Sequence, residues 1–494
     1  MPANIDSESD VSDSPSTIQS SHERLVKYRK TRDPASLPPE IFHRILQFAT
    51  CTGAELSNCC RVSYAWRAAA DRQLYFQYSY GNSSRKPVNL ARFLYGVADK
   101  DRGDQVRELS LNSVGKHLIH RYDVERHKDH FNSLAEEAGL DCWNFRRNRV
   151  TQCYDARLLI PLILTRTRNV QEASLDLQED FAYLSDLLHA AVSLRNQSPF
   201  KAFQHLRKLR LVSHRGDFYP SVALFWVKDV GHVFHLPALE DLTIDGIGAF
   251  MAGRLLCNRK GQSPIRELSI TIGMWPETTV TRWDIATILQ QPRMLKRLNV
   301  YFSQIRMPHE DFVDGLWNGL LQHRDTLESL VIETGFPEWT DWLSFEKPEA
   351  YHPCAPLGEF PGLKELAVSE NCLHCETPCW HEDTGTWTTA AFPPNLKTLT
   401  IMDCFHADAE ELDFDSVLAQ FVDEGKGCLK QIEVTTRRFY EPFDFNQTES
   451  ACLDKGVRFE QRIYGPGGSQ VSKVSDPTSL AADTQQSSQL PVEA

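Results

Sequence analysis

Residues 294–302 read MLKRLNVYF, residues 326–334 TLESLVIET, residues 362–370 GLKELAVSE and residues 395–403 NLKTLTIMD. Each holds apolar residues at i, i+3 and i+5: Leu295/Leu298/Val300, Leu327/Leu330/Ile332, Leu363/Leu366/Val368 and Leu396/Leu399/Ile401. The last two positions of each triplet are two residues apart, so in an extended chain they share one face. The triplet also occurs at Leu206/Leu209/Leu211, Leu239/Leu242/Ile244, Ile265/Leu268/Ile270 and Leu429/Ile432/Val434. From Leu206 to Leu429 the successive steps are 33, 26, 30, 32, 36, 33 and 33 residues, each long enough for a strand, a turn and a helix. Weaker copies at Val106/Leu109/Leu111 and Val170/Ala173/Leu175 extend the array toward the N-terminus, and the 64-residue step between them implies an insertion.

Between triplets the apolar period becomes helical, as in Phe312, Leu316 and Leu320, in Phe181, Leu184, Leu188 and Ala191, and in Val417, Leu418 and Phe421. Each unit therefore reads as a strand followed by a helix. No single unit can bury its apolar face alone, and stacked neighbours complete the core. The expected fold is α/β, with a parallel sheet built one strand per repeat over residues 85–464. A helix over Leu90–Val97 leads into it.

Strand residues flanking the buried positions face the other side of the sheet, where a stacked array forms a concave surface. Across ten copies these positions hold nine acids and three bases. A basic protein segment is the partner this balance favours, and Lys208, Arg210, Asp241, Asp245, Glu267, Arg297, Tyr301 and Glu333 are the candidate contacts.

Upstream lies a different pattern. Pro38 and Pro39 fit a first helical turn, Ser36 can cap it, and Ile41, Ile45, Leu46 and Phe48 follow at helical spacing. After Thr52-Gly53 come Leu56, Cys59, Cys60 and Val62, then Ser63 as a cap for a segment carrying Trp66, Ala69, Ala70 and Leu74. Three helices this short need a partner surface to complete their apolar burial.

Composition limits the function classes. The chain has 494 residues, with 53 Lys plus Arg against 66 Asp plus Glu and a net charge of -13, which argues against holding a nucleic acid by bulk charge. No apolar run reaches the ~18 residues of a membrane span. The N-terminus lacks the basic and apolar regions of a secretory signal, and 13 cysteines spread through a long chain do not form a disulfide framework. The expected location is the cytosol or nucleus, with reduced thiols. Residues 1–33 and 465–494, rich in Ser, Asp, Gly and Gln, are expected to be disordered tails.

The segment Leu37-Pro38-Pro39-Glu40-Ile41, Ile45-Leu46, Leu56-x-x-Cys59-x-x-Val62-Ser63-x-x-Trp66-Arg67 and Leu74 resembles an F-box. The resemblance covers residues 36–80 and implies a three-helix module that docks on the Skp-type adaptor of cullin-RING ubiquitin ligases. Carried over, the adaptor contacts are Leu37, Pro38, Ile41, Ile45 and Leu46, with Val62 and Trp66 partly structural. The triplet array resembles an irregular leucine-rich-repeat solenoid. It departs from that family at the ninth position, where only Asn371 and Cys404 fit while His214, Ile247, Gly273 and Ser303 do not. The order of the two modules is similar to that of fungal F-box/leucine-rich-repeat proteins. It implies a substrate receptor, with no cofactor and no catalytic residue of its own.

One cluster stands apart: Cys372-x-x-Cys375-x-x-x-Cys379-x-His381 supplies ligands for a tetrahedral zinc, although all four crowd into ten residues. No phosphate loop, His-Glu-x-x-His or Gly-x-Ser-x-Gly motif occurs in the chain. Two alternatives to a ligase receptor remain at this point. One is a scaffold using the same modules outside ubiquitin transfer, and the other is a zinc-dependent protein centred on Cys372 to His381.

Overall fold

The computed structural model describes residues 39–49, 53–81, 87–114, 118–119, 128–137, 154–155, 159–177, 182–193, 202–213, 225–226, 231–248, 260–272, 282–302, 310–334, 357–369, 392–404, 414–425, 428–437, 444–464 and 470–475. The chain divides into two compact units, Met1–Tyr78 and Ser79–Ala494. The short strand Gln77–Tyr80 spans the division.

In the first unit, helices α1 (Pro39–Phe48), α2 (Gly53–Cys59) and α3 (Tyr64–Phe76) form a small bundle. Ser63 caps α3, its hydroxyl accepting from the Trp66 N–H at 3.3 Å, which satisfies one of the amides a helix start leaves open. Phe42, Leu46, Leu56, Ala69 and Ala70 make the core, with Cys59, Cys60, Ala65, Trp66 and Leu74 packed on it. The two alanines let α3 approach the bundle closely enough for the Phe42 and Trp66 rings to meet edge to face at 4.9 Å.

The second unit is built on a parallel-dominated sheet in a solenoid-like arrangement. Its main strands are β1 (Glu108–Val114), β2 (Glu172–Leu177), β3 (Lys208–Ser213), β4 (Asp241–Gly248), β5 (Glu267–Ile272), β6 (Arg297–Phe302), β7 (Ser329–Thr334), β8 (Glu365–Ser369), β9 (Thr398–Cys404), β10 (Gln431–Arg437), β11 (Arg458–Tyr464) and β12 (Gln470–Ser475), and the two-residue strand Phe225–Trp226 pairs with β4. They lie side by side in chain order, β1 to β11 parallel and β12 antiparallel to β11. Register follows the triplets. Leu209, Leu242, Leu268, Leu298, Leu330, Leu366, Leu399, Ile432 and Phe459 align as one row of partners, and Leu211, Ile244, Ile270, Val300, Ile332, Val368, Ile401 and Val434 as a second. Both rows are buried. A one-residue slip would turn an entire strand inside out, so the apolar pattern fixes the pairing.

A backbone ladder reinforces this register at the strand entrances. The Arg266 carbonyl accepts from Lys296 N–H at 2.8 Å and Arg297 N–H at 3.1 Å, the Lys296 carbonyl from Glu328 and Ser329, and the Glu328 carbonyl from Lys364 and Glu365. The series runs from Arg107 to Lys430, so every repeat restarts at the same height.

Helices Ala182–Ser193, Arg282–Leu289, Glu310–Leu320, Phe414–Glu424 and Asn446–Lys455 each follow a strand, and Pro87–Ala98 leads into the array. The connections after β3 and β7 are described only in part. Their described residues hold the 3-10 turns Gly231–His235 and Leu357–Glu359, and the first connection also holds the two-residue strand Phe225–Trp226. The fully buried Val233 and Phe234 fill the core in the first. In the long step before Val170, strands Leu118–Ile119 and Tyr154–Asp155 pair antiparallel, and helix Leu159–Arg166 is buried from Leu159 to Thr165.

The expectation of a disordered tail over residues 465–494 is corrected at residues 470–475 alone, and 465–469 and 476–494 lie outside the described residues. Residues 470–475 form β12, which pairs with β11 from Tyr464↔Gln470 to Phe459↔Ser475. Lys473 and Ser475 both reach the Glu449 carboxylate, tying the strand to helix Asn446–Lys455. Residues 1–33 lie outside the described residues.

Candidate functional site

Helix α1 is apolar on two sides. Phe42 and Leu46, four residues apart, face the core at 1% and 2% exposure. Ile41, Ile45 and Phe48 form the next stripe and stand at 40%, 43% and 85% exposure. Val62 and Tyr64, at the entry to α3, are exposed as well. A module of three short helices with five large apolar side chains in solvent has a face shaped by apolar chemistry and left without a cover among the described residues.

Ile41 and Ile45 are on the open stripe. Leu46 is not: it belongs to the core, so its assignment to the docking face is corrected. The reason is geometric, since a residue four positions after Phe42 shares its face, whereas the open stripe continues from Ile41 through Ile45 to Phe48. Trp66 is half-buried and packs against Phe42. Val62, expected to be partly structural, instead lies open and outside the core cluster. Leu37 and Pro38 lie outside the described residues. Phe48 and Tyr64 were not in the expected set. Phe48 was legible, standing seven residues after Ile41 on one helical stripe.

The eight candidates of the second unit share one face of the sheet. Lys208, Asp241, Glu267 and Arg297 are aligned partners on β3 to β6. Arg210 lies one row deeper, and Asp245, Tyr301 and Glu333 belong to the third row. Charge here is partly answered within the sheet: Glu172 pairs with Lys208 at 3.3 Å, Glu267 with Arg297 at 3.1 Å and Glu433 with Arg462 at 2.9 Å. Asn299 also donates to Ser269 across strands at 3.0 Å. Burial, followed by the neighbouring Glu267 carboxylate, pushes the Asp241 carboxyl above its ordinary value. The face therefore presents less free negative charge than its residue count implies.

Cys372, Cys375, Cys379 and His381 lie outside the described residues. Among the described residues no group of His, Cys, Asp and Glu is placed to hold a metal. Cys452 is fully buried, and burial pushes its thiol up to about 12, so it stays protonated and unreactive at neutral pH. No helix of the described residues is long and apolar enough to cross a membrane.

A family model described as F-box-like matches residues 34–80, the span that contains the three-helix bundle. No curated protein matches the chain. Among solved structures, one chain of the crystal structure of the Rad7 and Elc1 complex in yeast is similar over 87% of this chain and 97% of its own, with 13% identity and a TM-score of 0.31. That score is too low to bear on fold or function.

Proposed function

We propose that this protein is a non-catalytic substrate receptor of a cullin-RING ubiquitin ligase. Its helical unit docks on a Skp-type adaptor, and its repeat sheet, of the leucine-rich-repeat kind, holds a protein target in the cytosol or nucleus. The observation that carries the reading is the open stripe Ile41, Ile45 and Phe48, on a helix whose adjacent stripe closes a core, inside a segment that matches an F-box-like family model. Covering a side chain of this size contributes roughly 1.5–3 kcal/mol, so a few such anchors are enough to organise an interface.

In this reading Leu37 and Pro38 also contact the adaptor, and the charged and aromatic groups of the sheet face select the target. The chemistry belongs to the partners. The receptor acts by proximity, since a target held beside a ubiquitin-loaded enzyme meets it at high effective concentration.

The test is co-purification of the full chain with a Skp-type adaptor and a cullin. Recovery of both supports the proposal. Adaptor without cullin would make the protein a scaffold using the same modules, and recovery of neither would remove the docking role.

A further inference from the structure

The residues that enter the strands form a row of their own. From β5 to β10 it reads Arg266, Lys296, Glu328, Lys364, Lys397 and Lys430, five cations and one acid on a chain whose net charge is -13. These are the residues of the entrance ladder, each N–H donating to the carbonyl of the one before, so the row is as regular as the sheet. At a strand spacing of about 4.8 Å, it extends for roughly 24 Å.

An open groove of about 500 Å³ lies on this row, lined among others by Lys296, Glu328, Lys364 and Lys397. Its floor is tied across repeats: Thr326 Oγ1 donates to the Leu295 carbonyl at 2.9 Å, and Asn395 Nδ2 to the Pro361 carbonyl at 2.9 Å. Gly362 sits where a Cβ would come within 3.1 Å of the Leu327 carbonyl, so the floor has no room for a side chain there.

The acids of the groove are already answered. Glu328 bridges Lys364 at 2.8 Å and Lys296 at 3.4 Å, and the hydrogen bond from Lys364 is the first cause holding its carboxyl below the usual value. Asp325 pairs with Arg324 at 3.8 Å. Arg266, Lys397 and Lys430 are exposed and make no ion pair among the described residues.

We propose that this strand-entrance groove binds an acidic peptide segment of a protein partner. A single small anion would meet only one or two of the cations, whereas a line of ~24 Å matches about seven residues of extended peptide. A nucleic-acid backbone, charged at every step, would have to pass Glu328 and would meet an acidic molecule beyond the row. A short run of Asp and Glu can place its carboxylates at Lys397 and Lys430 and its uncharged residues over Glu328. The inference concerns the second unit alone and stands whether or not the first unit docks on an adaptor.

The test is fluorescence anisotropy with the full chain at low salt. The probes are a labelled eight-residue Asp/Glu-rich peptide, its Asn/Gln counterpart and a single-stranded oligonucleotide of similar length. The acidic peptide is expected to bind best and to weaken as salt is raised. The double variant Lys397→Gln/Lys430→Gln should lose roughly tenfold in affinity, while Arg72→Gln on the first unit changes nothing. These side chains are exposed and unpaired, and an unchanged melting temperature verifies that the double variant is folded. If it is not, the single variant Lys397→Gln is read in its place. Equal binding of the acidic and neutral peptides, unchanged affinity in the variant, or tighter binding of the oligonucleotide would each overturn the proposal.

Discussion

Asp415 works outside its own helix. Its carboxylate accepts from Gln447 N–H and Thr448 N–H, both at 2.8 Å, and its carbonyl accepts from the Thr448 hydroxyl at 3.0 Å. The residue before helix Asn446–Lys455 is Phe445, which offers no side-chain cap, so the neighbouring repeat supplies one. Asp415→Ala should cost about 2 kcal/mol in chemical denaturation, with Asp415→Asn recovering part of the loss. His323 is a second buried link. A backbone amide is a fixed donor, so with Leu295 N–H on Nδ1 at 3.3 Å that nitrogen is the acceptor, and Nε2 carries the proton toward the Leu289 carbonyl at 2.8 Å. Burial, the leading cause, holds this imidazole below the ordinary value of 6.5. Because the folded value is the depressed one, its contribution to stability is complete above the unfolded value and is lost as pH falls through the folded one. Urea melts should show the chain weakening below about pH 6.5 by this route, and His323→Gln should flatten that slope. A slope unchanged in the variant would assign the acid sensitivity elsewhere. Neither link is legible from sequence, since each joins residues about 30 positions apart that carry no pattern of their own.

At the scale of elements, α1 shows where periodicity stops deciding. Ile41, Phe42, Ile45 and Leu46 are all apolar, and Ile41/Ile45 and Phe42/Leu46 both satisfy the i, i+4 rule. The sequence therefore marks an amphipathic helix without telling which stripe faces inward, and Leu46, expected on the open stripe, faces the core. Strands were more legible because two independent apolar positions per repeat align with their neighbours. The pattern fails at β11, where the partner of Val434 is Gln461 and the partner of Ile432 is Phe459, so no leucine announces the strand. β12 is polar and pairs antiparallel, and nothing in a search for repeats would find it. The two stripes of α1 should separate in mutagenesis. Phe42→Ala should cost about 3–5 kcal/mol by cavity formation and melt the bundle, whereas Ile45→Asp should leave far-UV dichroism and melting unchanged.

For the whole molecule, stability is shared between neighbouring repeats, each strand completing the core of the next. Leu330 sits in the middle of the buried leucine row, so Leu330→Ala should cost about 2–5 kcal/mol and loosen β6 to β8 in hydrogen exchange before the ends of the array. β12 closes one end by pairing with β11, and removal of residues 470–494 should bare that edge and promote self-association, read by light scattering. The proposed role requires the first unit to meet an adaptor through its open apolar stripe. Isothermal titration of the full chain with a purified Skp-type adaptor tests this most directly, comparing the native sequence with Ile41→Asp/Ile45→Asp. The expected result is saturable one-to-one binding by the native chain and loss of at least about a hundredfold in the folded variant. Equal affinity for both, or no binding by either, would contradict the account.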